Sequence, residues 1–199
     1  MVDLFNSLGT PVPIPIEDGE LAWLAQLPLA YPNDAVFARL LAETPWRAET
    51  VVVFGKRHPQ PRLTAWYGDA SYTYSGLRLE PLPWTPLLLE LRTAVEAASK
   101  GRFNSVLLNL YRNERDSMGM HSDDEPELGP GPVIASLSFG ATRTLMLRHK
   151  RNKDTLRVPL TDGGLLLMAG ATQENWLHGI NKSTRPLGTR INLTFRYVV

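Results

Sequence analysis

The sequence predicts a mainly β fold with flanking helices (α+β), whose strands close into a sandwich or barrel. Beyond Phe103 the chain breaks into short apolar or alternating runs separated by Gly, Pro, Asn and Asp clusters, while helical spacing is confined to the first half. No internal repeat or long linker divides it. Its 199 residues suit one domain over 1–199. Within it, a helical and extended segment (1–48) precedes a β-core (49–199).

Taken in order, residues 1–15 read as an extended arm, rich in proline. Asp18 caps a short helix running through Leu27 and ended by Pro28. Asn33 or Asp34 caps a second through Glu43, with Val36, Phe37, Leu40 and Leu41 on one face and Pro45 beyond its end. Val51–Phe54 and Leu63–Trp66 form a hairpin-like pair. Pro86 opens the clearest helix, where Leu87, Leu88, Leu91, Val95 and Ala98 recur at helical spacing up to Gly101. Strands follow at Val106–Tyr111, Val133–Phe139, Thr142–Arg148, Leu156–Leu160, Leu165–Met168, Trp176–Ile180 and Arg190–Tyr197. Gly129–Pro132 and Asp162–Gly164 are two of the breaks between them.

Composition narrows the function classes. Hydrophobic residues at 43% and charged residues at 21% are ordinary for a globular chain. No apolar run approaches the roughly 20 residues of a membrane helix, so no membrane partner is expected. Met1–Pro15 lacks a secretory signal pattern; the expected location is cytoplasmic (bacterial type) or nuclear, and the expected state a monomer. The absence of cysteine excludes disulfides and thiolate metal sites, so any metal must be held by carboxylates and the 4 histidines. A net charge of +1 selects no partner. Two basic clusters, Lys56, Arg57 and Arg62, and Arg143, Arg148, Lys150, Arg151 and Lys153, suit phosphate contacts or a solvated strand edge equally well. His58 and His149 lie inside these clusters and read as phosphate or surface residues.

Met120-His121-Ser122-Asp123-Asp124-Glu125 is the most informative segment. On an extended chain His121 and Asp123 leave on the same face, and His178 can join them from a distant strand of a closed β-core. Two imidazoles and a carboxylate on one face of an octahedron bind Fe(II) and leave positions open for a chelating co-substrate and dioxygen. An H-x-D is also common by chance, and a loop histidine is usually solvated. In the C-terminal strand, Arg190, Asn192, Thr194 and Arg196 alternate with Ile191, Leu193 and Phe195. Such a strand is either a sheet with one wet face or a receptor for a carboxylate. Asn109 and Tyr111 likewise share a face, and a dicarboxylate between these strands would reach iron at one end and Arg190 at the other.

N-x-Y, H-x-D, a distant His and R-x-N-x-T-x-R, in this order and spacing, resemble the AlkB family of Fe(II)- and 2-oxoglutarate-dependent dioxygenases. The likeness runs from about Val51 to the C-terminus and is closest to the duplex-DNA repair type. It lies in Val53-Phe54-Gly55-Lys56, Pro61-Arg62, Tyr67-Gly68-Asp69, Tyr72-Thr73-Tyr74-Ser75-Gly76, His121 to Glu125 and Ser136-Leu137-Ser138-Phe139-Gly140. The resemblance implies a double-stranded β-helix (jelly roll) and oxidative dealkylation of N-alkylated bases in DNA, single- or double-stranded. The same reaction on RNA or protein, and a non-catalytic nucleic-acid binder, are the alternatives. It further implies that His121, Asp123 and His178 hold Fe(II) and form the catalytic centre, and that Asn109, Tyr111, Arg190, Thr194 and Arg196 bind 2-oxoglutarate. O2 is the third reagent. Tyr72, Tyr74 and Glu125 resemble a pocket for a flipped base, Arg62 and Asp124 an ion pair at its rim, and Phe54 the tip of a wedging finger.

Overall fold

The computed structural model describes residues 9–199 except 54, 55, 70, 71, 75, 76 and 80; at 51–53, 56–59, 72–74 and 77–79 it describes the backbone alone. Two short strands come first, β1 (Val12–Ile14) and β2 (Glu20–Leu24), then helix α1 (Asn33–Glu43). They are followed by β3 (Thr50–Val53), β4 (Lys56–Pro59), β5 (Leu63–Gly68), β6 (Tyr72–Tyr74), β7 (Leu77–Leu79) and helix α2 (Pro86–Ser99). Next are β8 (Ser105–Tyr111), β9 (Met118–His121), β10 (Ile134–Gly140), β11 (Arg143–His149), β12 (Thr155–Leu160) and β13 (Leu165–Ala169). One helical turn, α3 (Thr172–Asn175), precedes β14 (Trp176–Ile180) and β15 (Arg190–Arg196).

A seven-stranded sheet in the order β1-β2-β13-β10-β15-β8-β5 faces a four-stranded sheet in the order β12-β11-β14-β9. The two layers form the expected jelly roll, with α1 and α2 against the outer face of the larger sheet. β15 is buried along its whole length. Its apolar side chains, Ile191, Leu193 and Phe195, pack with Leu108, Leu110, Leu137 and Phe139 under Val36 and Leu40 of α1 and Leu87, Leu88, Leu91 and Val95 of α2. A strand buried on both faces is therefore not the wet-faced strand its alternation also allowed; its polar residues point between the sheets.

α2 forms where its signals stand. Pro86 occupies the first turn, Thr85 Oγ1 accepts from the Leu88 amide at 3.2 Å, and the helix stops at Lys100 in the left-handed region with φ 56°. α1 starts at Asn33, so its capping position falls on Pro32 rather than on Asn33 or Asp34, and no side chain caps it.

Two expectations are corrected. The helix from Asp18 to Leu27 is a turn followed by β2, which pairs antiparallel with β13 from Glu20↔Ala169 to Leu24↔Leu165. A run this short has little intrinsic helical stability, and joining a sheet buries Leu21 and Leu24. The larger sheet thus takes in residues on both sides of position 48. Nor, among the described residues, does Val51–Val53 pair with Leu63–Trp66: β3 pairs with β4, and β5 joins the large sheet beside β8.

Gly140, where β10 ends opposite Arg190, shows how closely the site is framed. Its φ is +84°, and a Cβ there would lie 2.5 Å from the Thr189 carbonyl oxygen and 2.8 Å from Phe37 Cε2. Gly140→Ala is expected to destabilise the protein by about 1–3 kcal/mol, read as a lower urea midpoint. An unchanged midpoint would show that this turn is not strained.

Candidate metal centre

Register sets the inner face of the large sheet. Ser138, Asn192 and Asn109 lie in one cross-strand row, Ser136, Thr194 and Leu107 in the next, and Gly140, Arg190 and Tyr111 in a third. On the facing sheet His121 of β9 stands directly opposite His178 of β14, and Asp123 follows in the loop after β9. His121, Asp123 and His178 each offer one donor atom, all within 4.8 Å of one another. The two imidazoles are 4.4 Å apart between ring centres, tilted by 53°.

Hydrogen bonds orient this group. His121 Nδ1 lies 3.0 Å from the Gly119 carbonyl oxygen, which selects the tautomer that donates from Nδ1 and leaves Nε2 free for a cation. Nε2 is 3.5 Å from Asp123 Oδ1. Arg196 Nη2 and Nε donate to the other oxygen, Asp123 Oδ2, at 2.9 and 3.2 Å. Burial alone would raise the Asp123 carboxyl, but the Arg196 guanidinium and the two imidazoles outweigh it and hold it far below the usual carboxylate range. Burial, reinforced by neighbouring His121, pushes His178 down to about 3, so its ring is neutral at pH 7. His121 is also opposed by burial, yet the Asp123 carboxylate close to its Nε2 and the Gly119 carbonyl leave it more basic than usual. The centre therefore combines a neutral imidazole, an ionised carboxylate and an imidazole that Asp123 makes more basic.

The triad opens on a small cavity lined by Asn109, Ser136, Arg190, Asn192, Thr194 and Arg196, with Leu107, Leu145, Leu160, Met168 and Ile180 forming an apolar wall. Arg190 is 1% exposed. Its Nη2 donates to Ser138 Oγ at 2.9 Å, but Nε and Nη1 have no hydrogen-bond partner among the described residues. Burial pushes its guanidinium down to about 10; the Tyr111 hydroxyl opposes that shift and nearby Arg143 adds to it. Asp123 Oδ1 is also buried without a hydrogen-bond partner. Buried polar atoms are rarely left so. The carboxylate oxygen facing two imidazoles fits a cation, and the guanidinium nitrogens fit an anion. Two imidazoles and one carboxylate are the donor set for Fe(II) with open positions, so the residues suit both reagents.

Asn109, Arg190, Thr194 and Arg196 line this cavity. Tyr111 stands behind Arg190, its ring centre 5.1 Å from the guanidinium carbon. The expected Arg62–Asp124 ion pair is not formed. Arg62 is 4% exposed and donates from Nε to Asn109 Oδ1 at 2.7 Å. Asp124 instead accepts from Ser122 Oγ at 3.0 Å and lies 3.7 Å from Lys150 Nζ. Burial keeps Arg62 on the sheet side, whereas the loop turns Asp124 outward. Glu125 is half-buried and is not among the cavity-lining residues. Phe54 and the side chains of Tyr72 and Tyr74 lie outside the described residues, as does that of His58.

His149 is not a surface residue: it is 1% exposed, lies 3.4 Å from Asp18 Oδ2 and meets Trp176 edge-on. The second basic cluster is correspondingly less available for phosphate. Arg143 is buried and donates to the carbonyls of Asn113, Asp116 and Asn181, Arg151 pairs with Asp18, and Lys153 donates to the Lys150 carbonyl. Sequence reasoning passed over Asn192, Ser136 and Ser138 as site residues, although Ser136 and Ser138 alternate with Leu137 and Phe139 as the residues of β15 do. Gln173, whose Oε1 accepts from the Asp123 amide at 2.9 Å, carried no such signal.

The family model described as the 2OG-Fe(II) oxygenase superfamily matches residues 24–196. Human alpha-ketoglutarate-dependent dioxygenase alkB homolog 3 is 47% identical over 175 residues, which cover 83% of this chain and 61% of that protein. Human DNA oxidative demethylase ALKBH2 is 45% identical over 159 residues, 75% of this chain and 61% of that protein. The chain thus spans about six tenths of the length of these relatives. The solved structure of OsALKBH1 superposes with a TM-score of 0.62 at 16% identity, covering 94% of this chain and 100% of that one, a likeness of fold. The matched model spans nearly the whole of both sheets and every residue of the triad and the cavity: the chain belongs to the 2OG-Fe(II) oxygenase superfamily and, within it, to the AlkB family.

Proposed function

We propose that this chain oxidatively dealkylates N-alkylated bases of the 1-methyladenine and 3-methylcytosine type in DNA, with Fe(II), 2-oxoglutarate and O2, releasing formaldehyde. The observation that carries the reading is one cavity with opposite needs at two points: a partnerless carboxylate oxygen beside two imidazoles, and partnerless guanidinium nitrogens on Arg190. A dicarboxylate that also chelates a cation meets both.

In this reading His121, Asp123 and His178 hold Fe(II), whose role is to activate O2 for oxidation of the alkyl carbon. Arg196 keeps Asp123 ionised and occupies Oδ2, which leaves Oδ1 for the metal. Arg190 receives the distal carboxylate of 2-oxoglutarate through its two free donors. Asn192 Nδ2 donates to Ser136 Oγ at 2.8 Å, and Thr194 Oγ1 donates to Asn192 Oδ1 at 2.9 Å, so the floor between these ends is fixed before the co-substrate arrives. The apolar wall excludes water. Expelling the base from its stack costs a few kcal/mol, and least for a damaged base that pairs poorly. Tyr72 and Tyr74 are proposed to stack on that base, Glu125 to favour its positive charge, and Phe54 to fill the gap it leaves. Support for DNA comes from the name of the second relative, DNA oxidative demethylase.

The test is single-turnover. Protein loaded without air with Fe(II) and 2-oxoglutarate is given O2 and a DNA or RNA strand carrying one 1-methyladenine or 3-methylcytosine. Loss of one methylene's mass from the DNA strand, with succinate formed in equal amount, is expected. Succinate without strand change would reject the substrate, and faster repair of the RNA strand would reject the choice of DNA.

Metal binding carries its own expectation. A ligating imidazole must be unprotonated. His121 is more basic than usual, whereas Asp123 is already ionised and His178 already neutral at pH 7. Mn(II) binding is expected to release protons from His121 and to weaken as pH falls through the range in which this more basic imidazole titrates. Calorimetry in buffers of different ionisation enthalpy measures the release. An affinity flat across this window would contradict the assignment of His121.

A further inference from the structure

The loop that carries Asp123 is gripped at a second point, away from the cavity. β9 ends at His121, so residues after it have no ladder to hold them. Arg196 fixes the Asp123 carboxylate, but a side chain pinned at one end leaves its own backbone free to pivot. The backbone is held by Gln173 of α3, 2% exposed, whose Oε1 accepts from the Asp123 amide at 2.9 Å. Gln173 is oriented in turn, its Nε2 reaching Met168 Sδ at 3.7 Å.

Lys150 joins the two sides. It follows β11 directly, and its Nζ donates to the Gln173 carbonyl at 2.9 Å and to Ser122 Oγ at 3.0 Å, with Asp124 Oδ2 at 3.7 Å. Its own amide donates to the Asn175 carbonyl at 2.7 Å. The ammonium therefore bridges α3 and both neighbours of Asp123. α3 is itself anchored, since Thr172 Oγ1 accepts from the Glu20 amide at 2.9 Å and donates to the Ala169 carbonyl at 2.6 Å.

We propose that Gln173 and Lys150 are positioning residues for the metal centre: they fix the peptide of Asp123 so that Oδ1 faces His121 and His178. The inference rests on the metal reading above and adds to it two residues that belong neither to the triad nor to the cavity lining. Without Gln173 Oε1 the Asp123 amide is left buried and unpaired, and the loop must move to satisfy it. Movement at that amide displaces the carboxylate from the imidazoles. Groups that orient ligands typically change metal affinity by about 10–100-fold when lost.

The experiment titrates the whole chain with Mn(II), read by electron paramagnetic resonance, beside melting of the metal-free protein. Gln173→Met removes the acceptor at similar volume, and Gln173→Glu retains it. Lys150→Met and Lys150→Arg are the parallel pair on a side chain that is 31% exposed. Both methionine variants are expected to bind Mn(II) about tenfold more weakly, and the Glu and Arg variants to regain most of that loss. Mn(II) affinity unchanged in both methionine variants, or a lower melting temperature with affinity intact, overturns the inference. Should Gln173→Met fail to fold, the Lys150 pair decides alone. His121→Ala separates the two layers of argument. If it binds Mn(II) as wild type does, the metal reading and this inference fall together; if it loses binding while the methionine variants keep theirs, this inference alone falls.

Discussion

Arg190→Met is expected to raise the 2-oxoglutarate concentration for half-maximal turnover by at least about a hundredfold while leaving the protein as stable as wild type or more so. Hydrogen bonds to a charged group contribute about 1.5–3 kcal/mol each, and Arg190 presents two donors, Nε and Nη1, with no other partner. Losing both from a dicarboxylate's binding energy removes about 3 kcal/mol or more, which is the predicted factor. Stability should move the other way because a buried cation without an anion is a cost to the empty fold. Burial already pushes Arg190 down to about 10. Methionine fills similar space against the Tyr111 ring with no charge to desolvate. Melting temperature and 2-oxoglutarate-dependent succinate formation check both halves. A large fall in melting temperature with unchanged 2-oxoglutarate dependence would make Arg190 a structural residue.

The same guanidinium shows what was and was not legible in the sequence. Alternation along Arg190–Arg196 marked a strand with one polar face, and the spacing of His121, Asp123 and His178 marked three donors able to converge. The alternation and the His121–Asp123 spacing are local patterns that the fold kept, while His178 joined them only through the pairing of β14 with β9. Alternation does not say whether a polar face meets water or a second sheet. Only the pairing of β15 between β8 and β10, with the small sheet opposite, turned that face inward. Strand pairing also decided residues 20–24: Glu-Leu-Ala-Trp-Leu has nothing against a helix, and the exposed side of β13 made it a strand. Arg62 was misplaced for a related reason. Its pairing with Asp124 was implied by the family resemblance alone, and Asn109, reached across the β5–β8 register, is the partner it finds. Gln173 and Lys150 were invisible because their role depends on α3 lying against the loop after β9, a contact between residues far apart in sequence.

Asp123→Ala is expected to abolish dealkylation and, unlike Arg190→Met, to destabilise the metal-free protein strongly. Asp123 is fully buried and is bonded by Arg196 Nη2 and Nε, and Arg196 is itself only 3% exposed. Removing one partner of a buried pair leaves the other charge in low dielectric, a loss of about 3–5 kcal/mol. The sign of its pH dependence follows from the depressed carboxyl. An unfolded aspartate titrates near about 3.9, so the native carboxylate's contribution is complete above that value and is lost as pH falls towards the lower native one. Urea unfolding in the presence of a chelator should therefore show the full gap between wild type and Asp123→Ala at pH 7, and a gap smaller by about 1 kcal/mol at pH 3. Asp123→Asn, which keeps an acceptor for Arg196 but loses the charge, should fall between them in stability and still bind metal poorly. A gap that stays constant with pH would mean that Asp123 supports the fold by shape rather than by charge. Turnover surviving in Asp123→Ala would remove the carboxylate from the metal centre altogether.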